Sequence, residues 1–254
     1  MNRLPIEQIV LLLLQTSILL GLVLRVWKTG LFRMYPCFFG YLLMASLQAS
    51  VMPFLPYDSA SYKYSWLVTQ ALLTCFCALI VLELYSLVLR DLTGIASASG
   101  RYLKVSLSLA VLGSLVLLAV ERTPHGLVNI FLIIERALVT SLLIFVLLLT
   151  AFLAYYPVPI NRNLVVYSMG YAVYFMAKAT GLLAMNVTHS WSRQADAVVV
   201  TASIISMLYW LVGLSSEGEK KTLVIGHRWN RADQEEVLGR LKELNANLLR
   251  AGRR

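Results

Sequence analysis

Four ionisable side chains, Glu83, Glu135, Arg136 and Lys178, stand inside long apolar stretches of this 254-residue chain. A charge in a hydrocarbon medium is costly, so such groups pair with one another, line a polar cavity or meet a ligand. Depth narrows the choice. Glu135 lies about eight residues below one end of its stretch, and Lys178 about eight below the same-side end of the next, roughly 12 Å for a helical rise. Consecutive helices run antiparallel, so the two side chains share a level and a Glu135–Lys178 ion pair is predicted. Arg136 points about 100° further round the helix and is poorly placed to share that carboxylate. With all three charged, the cluster carries a net positive charge that a further acceptor or an anionic ligand would balance.

Gln15, Gln48 and Gln70 fall in the same outer halves, with Thr16, Ser46, Ser50 and Thr74 nearby in sequence. Together with the charges they could line an outward-opening polar cavity. The competing expectation is structural: Glu135, Arg136 and Lys178 lock three helices together, and the glutamines act as interhelical hydrogen-bonding groups. Glu83 is on the inner side, near Arg90 in sequence, and is expected to pair with an inner-side arginine in a structural role.

The elements that must position these residues are seven apolar stretches, at 5–24, 36–55, 65–89, 102–120, 127–152, 164–186 and 196–215. Each approaches the ~20 residues a helix needs to cross a bilayer. The chain is 59% hydrophobic and 14% charged, with mean hydropathy +0.72, leaving too little polar surface for a soluble domain. The expected fold is all-α: a polytopic membrane protein with a seven-transmembrane-helix bundle. Pro36 suits the first turn of the second helix, where its missing N–H costs nothing.

The net charge of +9 could suggest nucleic acid, but its distribution does not. Sixteen of the 22 Lys and Arg fall in the gaps after the first, third and fifth stretches, at the very start of the fourth (Lys104) or in the tail. By the positive-inside rule the N-terminus is outside and the C-terminus cytoplasmic. Basic flanks beside anionic headgroups account for the charge, with the lipid bilayer as partner and no nucleic acid. Trp27 and Tyr35 inside, with Tyr57, Tyr62, Tyr64, Trp66 and Trp191 outside, fit interfacial belts. The first stretch lacks a small-residue cleavage site and is more basic after than before, which favours a retained helix over a signal peptide. The expected location is the cell membrane, as a multi-pass protein of a bacterial inner membrane.

Residues 1–215 therefore form the membrane domain and 216–254 a basic cytoplasmic tail. A helix is predicted at about 233–250, with Asp233 as N-cap and Glu236 at the capping-box position. Val237, Leu241, Leu244 and Leu248 follow at spacings of four, three and four, an apolar seam of about two heptads. It suits either the bundle or bilayer surface, or a cytoplasmic or membrane protein partner.

Other chemistry is sparse. Cys75 and Cys77 are two apart, the wrong spacing for a redox or zinc motif, and with Cys37 they read as packing residues. His125 and His189 sit near Glu121 and Asp196 in outer loops without ligand spacing. Asn186-Val187-Thr188 is a sequon. No nucleophile–base motif, phosphate loop or dinucleotide fingerprint occurs, so neither enzyme activity, metal nor cofactor is expected. The Asp-Arg-Tyr and Asn-Pro-x-x-Tyr signatures of G-protein-coupled receptors, the seventh-helix lysine of microbial rhodopsins and the Pro-Gln pair of SWEET and PQ-loop transporters are missing. By fold-level analogy the chain resembles the membrane input module of bacterial signalling proteins, without an output domain. The leading expectation is a non-enzymatic membrane sensor or adaptor whose outer-half polar pocket passes its state to the tail helix. The alternatives are a small-solute transporter or channel-like protein, and an accessory or assembly subunit of a membrane complex.

Overall fold

Proline, glycine and serine set the helix boundaries in the first third of the chain. Helix α1 (Ile6–Lys28) carries Arg25 and Lys28 in its last turn, where cations complement the negative end of the helix dipole. It thus runs beyond the predicted end at residue 24. Gly30, at φ 72°, takes the left-handed conformation that turns the chain into a 3-10 turn at Leu31–Arg33. Pro36 opens α2 (Pro36–Val51), which tightens into a second 3-10 turn at Met52–Phe54. Ser59 caps α3 (Ala60–Val88) by accepting the Tyr62 N–H at 3.0 Å. Then follow α4 (Leu127–Tyr155), α5 (Arg162–Val187) and α6 (Ser192–Gly213). The tail contributes the single-turn α7 (Ser216–Lys220) and α8 (Arg231–Ala251).

The computed structural model describes residues 6–56, 59–90, 92, 105, 108–109, 112, 127–156, 159–187, 192–224 and 231–251. The predicted stretch at 102–120 lies almost wholly outside the described residues, as do His125, His189 and residues 225–230 of the tail. The fifth, sixth and seventh predicted stretches correspond to α4, α5 and α6.

Among the described residues the architecture is all-α apart from one antiparallel strand pair, β1 (Pro159–Asn161) with β2 (Thr222–Val224), in register Pro159↔Val224, Ile160↔Leu223 and Asn161↔Thr222. Helices α1 to α6 each pack against the next, and α6 returns to α1, closing a ring of described helices. Helix α5 also reaches α3 across the ring. Among the described residues, four helical stretches are long and apolar enough to cross a bilayer: Leu11–Lys28, Pro36–Phe54, Ala60–Val88 and Ile130–Tyr155. Ala197–Gly213 in α6 is a shorter apolar run. Large apolar side chains such as Leu24, Leu47, Val68, Leu148 and Val212 are exposed on the outside of the ring, a girdle that suits lipid rather than water. These are the marks of a membrane protein.

The tail departs from its predicted form in two ways. Helix α8 starts at Arg231, so Asp233 lies inside its first turn rather than at the N-cap. The seam is not one buried line either. Leu241 is buried and Leu248 half-buried, but Leu244 is 50% exposed. Seven residues apart, Leu241 and Leu248 face nearly the same way, whereas Leu244 is turned about 60° from Leu241. The side chain of Val237 lies outside the described set.

Candidate functional site

The first turn of a helix leaves its N–H groups without intrahelical acceptors. At α2 this is acute, because Tyr35 makes no side-chain cap. The acceptor comes from another helix. Glu83 of α3 receives the Cys37 N–H at 3.0 Å on Oε1 and the Phe38 N–H at 3.3 Å on Oε2. The Tyr167 hydroxyl of α5 donates to Oε2 at 3.0 Å. The expected pairing of Glu83 with an inner-side arginine is therefore corrected. Its carboxylate caps α2 from outside, and the positive end of that helix takes the place of a cation.

Glu219 of α7 forms a second hub. Its carboxylate accepts from the Tyr35 hydroxyl (3.1 Å, Oε2), from Asn161 Nδ2 (3.0 Å, Oε1) and from Asn163 Nδ2 (2.9 Å, Oε2). Asn163 also donates to the Ser215 carbonyl at 2.7 Å and accepts the Ser215 N–H at 3.2 Å. Ser215 Oγ caps α7 by accepting the Gly218 N–H at 3.1 Å. A side chain at Gly218 would collide with Asn163 Oδ1, so the close approach requires glycine there. Arg25 donates twice to the Leu214 carbonyl, at 3.1 and 2.9 Å, satisfying the end of α6. These bonds hold the tail segment 214–224 on the ends of α1, α2, α5 and α6. Burial, with the Glu219 charge beside it, pushes the Tyr35 hydroxyl well above its ordinary pKa and keeps it a donor.

The outer cluster is built on α3, α4 and α5. Lys178 Nζ meets Glu135 Oε1 at 2.7 Å. The same oxygen accepts from Gln70 Nε2 at 2.8 Å and from Thr74 Oγ1 at 3.1 Å. Gln48 on α2 extends the network, donating to Gln70 Oε1 at 3.5 Å and also to Thr69 Oγ1 at 2.9 Å. Glu135 is 1% and Lys178 7% exposed, so this pair is sealed rather than open. The network reaches the surface at Gln48, which with Leu47, Val51, Tyr64, Val68 and Thr69 lines a cleft of about 410 Å³ between α2 and α3.

Of the residues singled out in the sequence, Glu135, Lys178, Gln70 and Gln48 are thus brought together. Arg136 and Gln15 are not. Both are half-buried, and among the described residues neither has a hydrogen-bond or ion-pair partner. The 100° step from Glu135 turns Arg136 away from the carboxylate. Cys75 is exposed and Cys77 buried, as two positions on different faces of one helix should be. No metal-ligating group of three or more acidic, histidine or cysteine residues occurs among the described residues.

A column of rings joins the two ends. Asn163, Tyr167, Tyr171, Tyr174 and Lys178, spaced four, four, three and four, form one stripe of α5, and all are buried. Tyr167 packs on Tyr35 and Phe38 with centroids at 5.0 and 5.1 Å. Tyr171 packs on Trp210 at 4.6 Å, and the Tyr41 hydroxyl donates to that of Tyr174 at 3.1 Å. Lys178 Nζ lies 5.9 Å from the Tyr174 ring centre. The stripe's 3.6-residue period was available in the sequence. Nothing there pointed to Glu219, one acid in a basic tail.

Comparison of the chain with protein-family models, with curated proteins and with solved structures finds no match in any of the three.

Proposed function

We propose that this chain is a non-enzymatic membrane sensor or adaptor. In this reading it is a seven-helix bundle, N-terminus outside and C-terminus cytoplasmic, in a bacterial inner membrane. Occupancy of the outer half biases the set of the tail. One observation carries the proposal: the buried stripe of α5 that ends in the Glu135–Lys178 pair at one end and in the Asn163–Glu219 contact with the tail at the other. A rigid helix bonded at both ends transmits displacement, because packed rings do not deform continuously. Gln48 supplies the entry point, since its cleft opens outside the ring while its amide reaches the buried network through Gln70.

The test is hydrogen exchange at residues 214–224 in lipid nanodiscs, in the wild type and in Lys178→Met. Loss of the outer pair is expected to raise exchange of the tail amides at the far end of α5. Unchanged exchange there, in a variant shown to fold, would refute coupling through the stripe.

A transporter-like reading rests on a different observation. Tyr171 Oη, Ser206 Oγ and Trp210 Nε1 are buried without hydrogen-bond partners. Buried polar groups of this kind are ordinarily satisfied by water. Solute uptake by reconstituted vesicles, abolished by Tyr171→Phe, would favour this reading over the sensor.

A further inference from the structure

The strand pair β1–β2 does more than tether the tail. It brings two basic residues together. The Arg162 N–H donates to the Lys221 carbonyl at 2.9 Å, continuing the ladder one step beyond the Asn161↔Thr222 pair. Arg162 opens α5 and Lys221 precedes β2, so both stand at the end of the strand pair, joined there by their backbones. Leu223 of β2 lines the same groove as Arg162. Arg162 and Lys221 are both exposed, and among the described residues neither side chain has a carboxylate partner. The nearby acid, Glu219, is already bonded to Tyr35, Asn161 and Asn163. Like charges held close together repel, and an anion between them would relieve that.

What lies beneath the cations names the anion. Arg162 and Leu223 close one end of a groove of about 380 Å³ between α5 and α6, whose walls are Val165, Val166, Tyr209, Val212 and Gly213. Val212 is 77% exposed, so the groove runs along the apolar outside of the ring rather than into its core. A free phosphate has no use for such walls. We propose that Arg162, Lys221 and this groove form a binding site for one anionic phospholipid, with the headgroup phosphate between the two cations and an acyl chain along Val165, Val166 and Val212. The site depends on the tail being docked, because Lys221 and Leu223 come from it. It does not depend on which way the bundle is oriented or on the sensor reading.

The experiment is native mass spectrometry of the full chain released from detergent, titrated separately with phosphatidylglycerol and with phosphatidylcholine. The wild type is expected to retain one phosphatidylglycerol selectively. Arg162→Gln/Lys221→Gln should weaken that retention by roughly 25-fold, as loss of two headgroup cations implies, and Arg162→Lys/Lys221→Arg should restore it. Rescue by the charge-conserving variant separates lost binding from lost folding. Equal retention of the two lipids, or equal phosphatidylglycerol retention by wild type and the Gln variant, would overturn the site. Displacement of the lipid by millimolar inorganic phosphate would also overturn the lipid assignment, leaving an anion site alone.

Discussion

Removing Lys178 tests whether the outer cluster is a true ion pair or a set of separable hydrogen bonds. At 2.7 Å the gross attraction between Lys178 and Glu135 is about 6 kcal/mol for an effective dielectric near 20. Desolvation of both groups offsets most of it, so replacing the pair by neutral groups changes stability little. Replacing one partner is different. Lys178→Met leaves the carboxylate of Glu135, 1% exposed, with only the Gln70 and Thr74 donors, and a stranded buried charge costs about 3–5 kcal/mol. Glu135→Gln keeps an oxygen for those two donors but strands Lys178, at a cost of about 2–4 kcal/mol by the same reasoning. The double variant retains the amide contacts and strands no charge, so it should recover most of the loss. The double-mutant cycle, read by reversible unfolding in mixed micelles, is expected to give a coupling of at least about 3 kcal/mol, the smallest sum of the single costs less a residual double-variant cost of about 2 kcal/mol. Additive single costs, or a Lys178→Met variant within about 0.5 kcal/mol of wild type, would refute a charged pair.

Three further outcomes follow from the packing. Glu83→Ala removes the acceptor of two first-turn amides and of the Tyr167 hydroxyl, and should cost about 2–4 kcal/mol, with Glu83→Gln costing less, by thermal unfolding in detergent. Gly170→Ala drives a methyl group into the Trp210 indole nitrogen, so α5 and α6 must part; a loss of about 1–3 kcal/mol and a shifted Trp210 emission are expected. The Tyr35–Glu219 contact has a pH window. Tyr35 has a raised pKa in the folded state, so its contribution is complete below the unfolded value near 10 and is lost as pH rises above it. Tail-amide exchange should therefore be flat from about pH 6 to 9, after correction for intrinsic rates, and rise above about 10; a Tyr35→Phe variant should lack that rise.

Much of the frame was legible because it rests on periodicity and length. Apolar runs of about 20 residues mark helices whatever their partners, and equal depth on antiparallel neighbours was enough to predict the Glu135–Lys178 contact. The misses share one cause. Glu83 was assigned a cation because charges are expected to seek charges, yet its partners are backbone amides, which no residue code displays. Glu219 is bonded by Tyr35, Asn161 and Asn163, residues 184, 58 and 56 positions away in sequence, and only the closed ring brings them together. Arg136 shows the converse. Shared depth put it in one cluster with Glu135 and Lys178, but the 100° step between adjacent helix positions keeps it apart from them.

Hydropathy and packing also separate along α5. Its mean hydropathy is lowered by the same residues that make it interesting: Asn163, three tyrosines and Lys178 lie on one stripe, and that stripe is buried. A helix whose polar face is sealed inside a ring can present an ordinary apolar face outward, as the exposed Met169, Val173 and Met176 do. In a lipid environment the burial of polar groups between helices is what holds such a ring together, since apolar contact with a neighbour and with a lipid chain are nearly equivalent. The proposed transmission path and the principal adhesive of the bundle are then the same atoms. Variants along the stripe should consequently lose stability and end-to-end coupling together, whereas those at Gln48, at the network's edge, should reduce response with the fold intact. Gln48→Leu, compared with Tyr171→Phe by unfolding and by tail exchange, distinguishes the two: equal losses of stability would mean that the cleft is part of the scaffold and not its input.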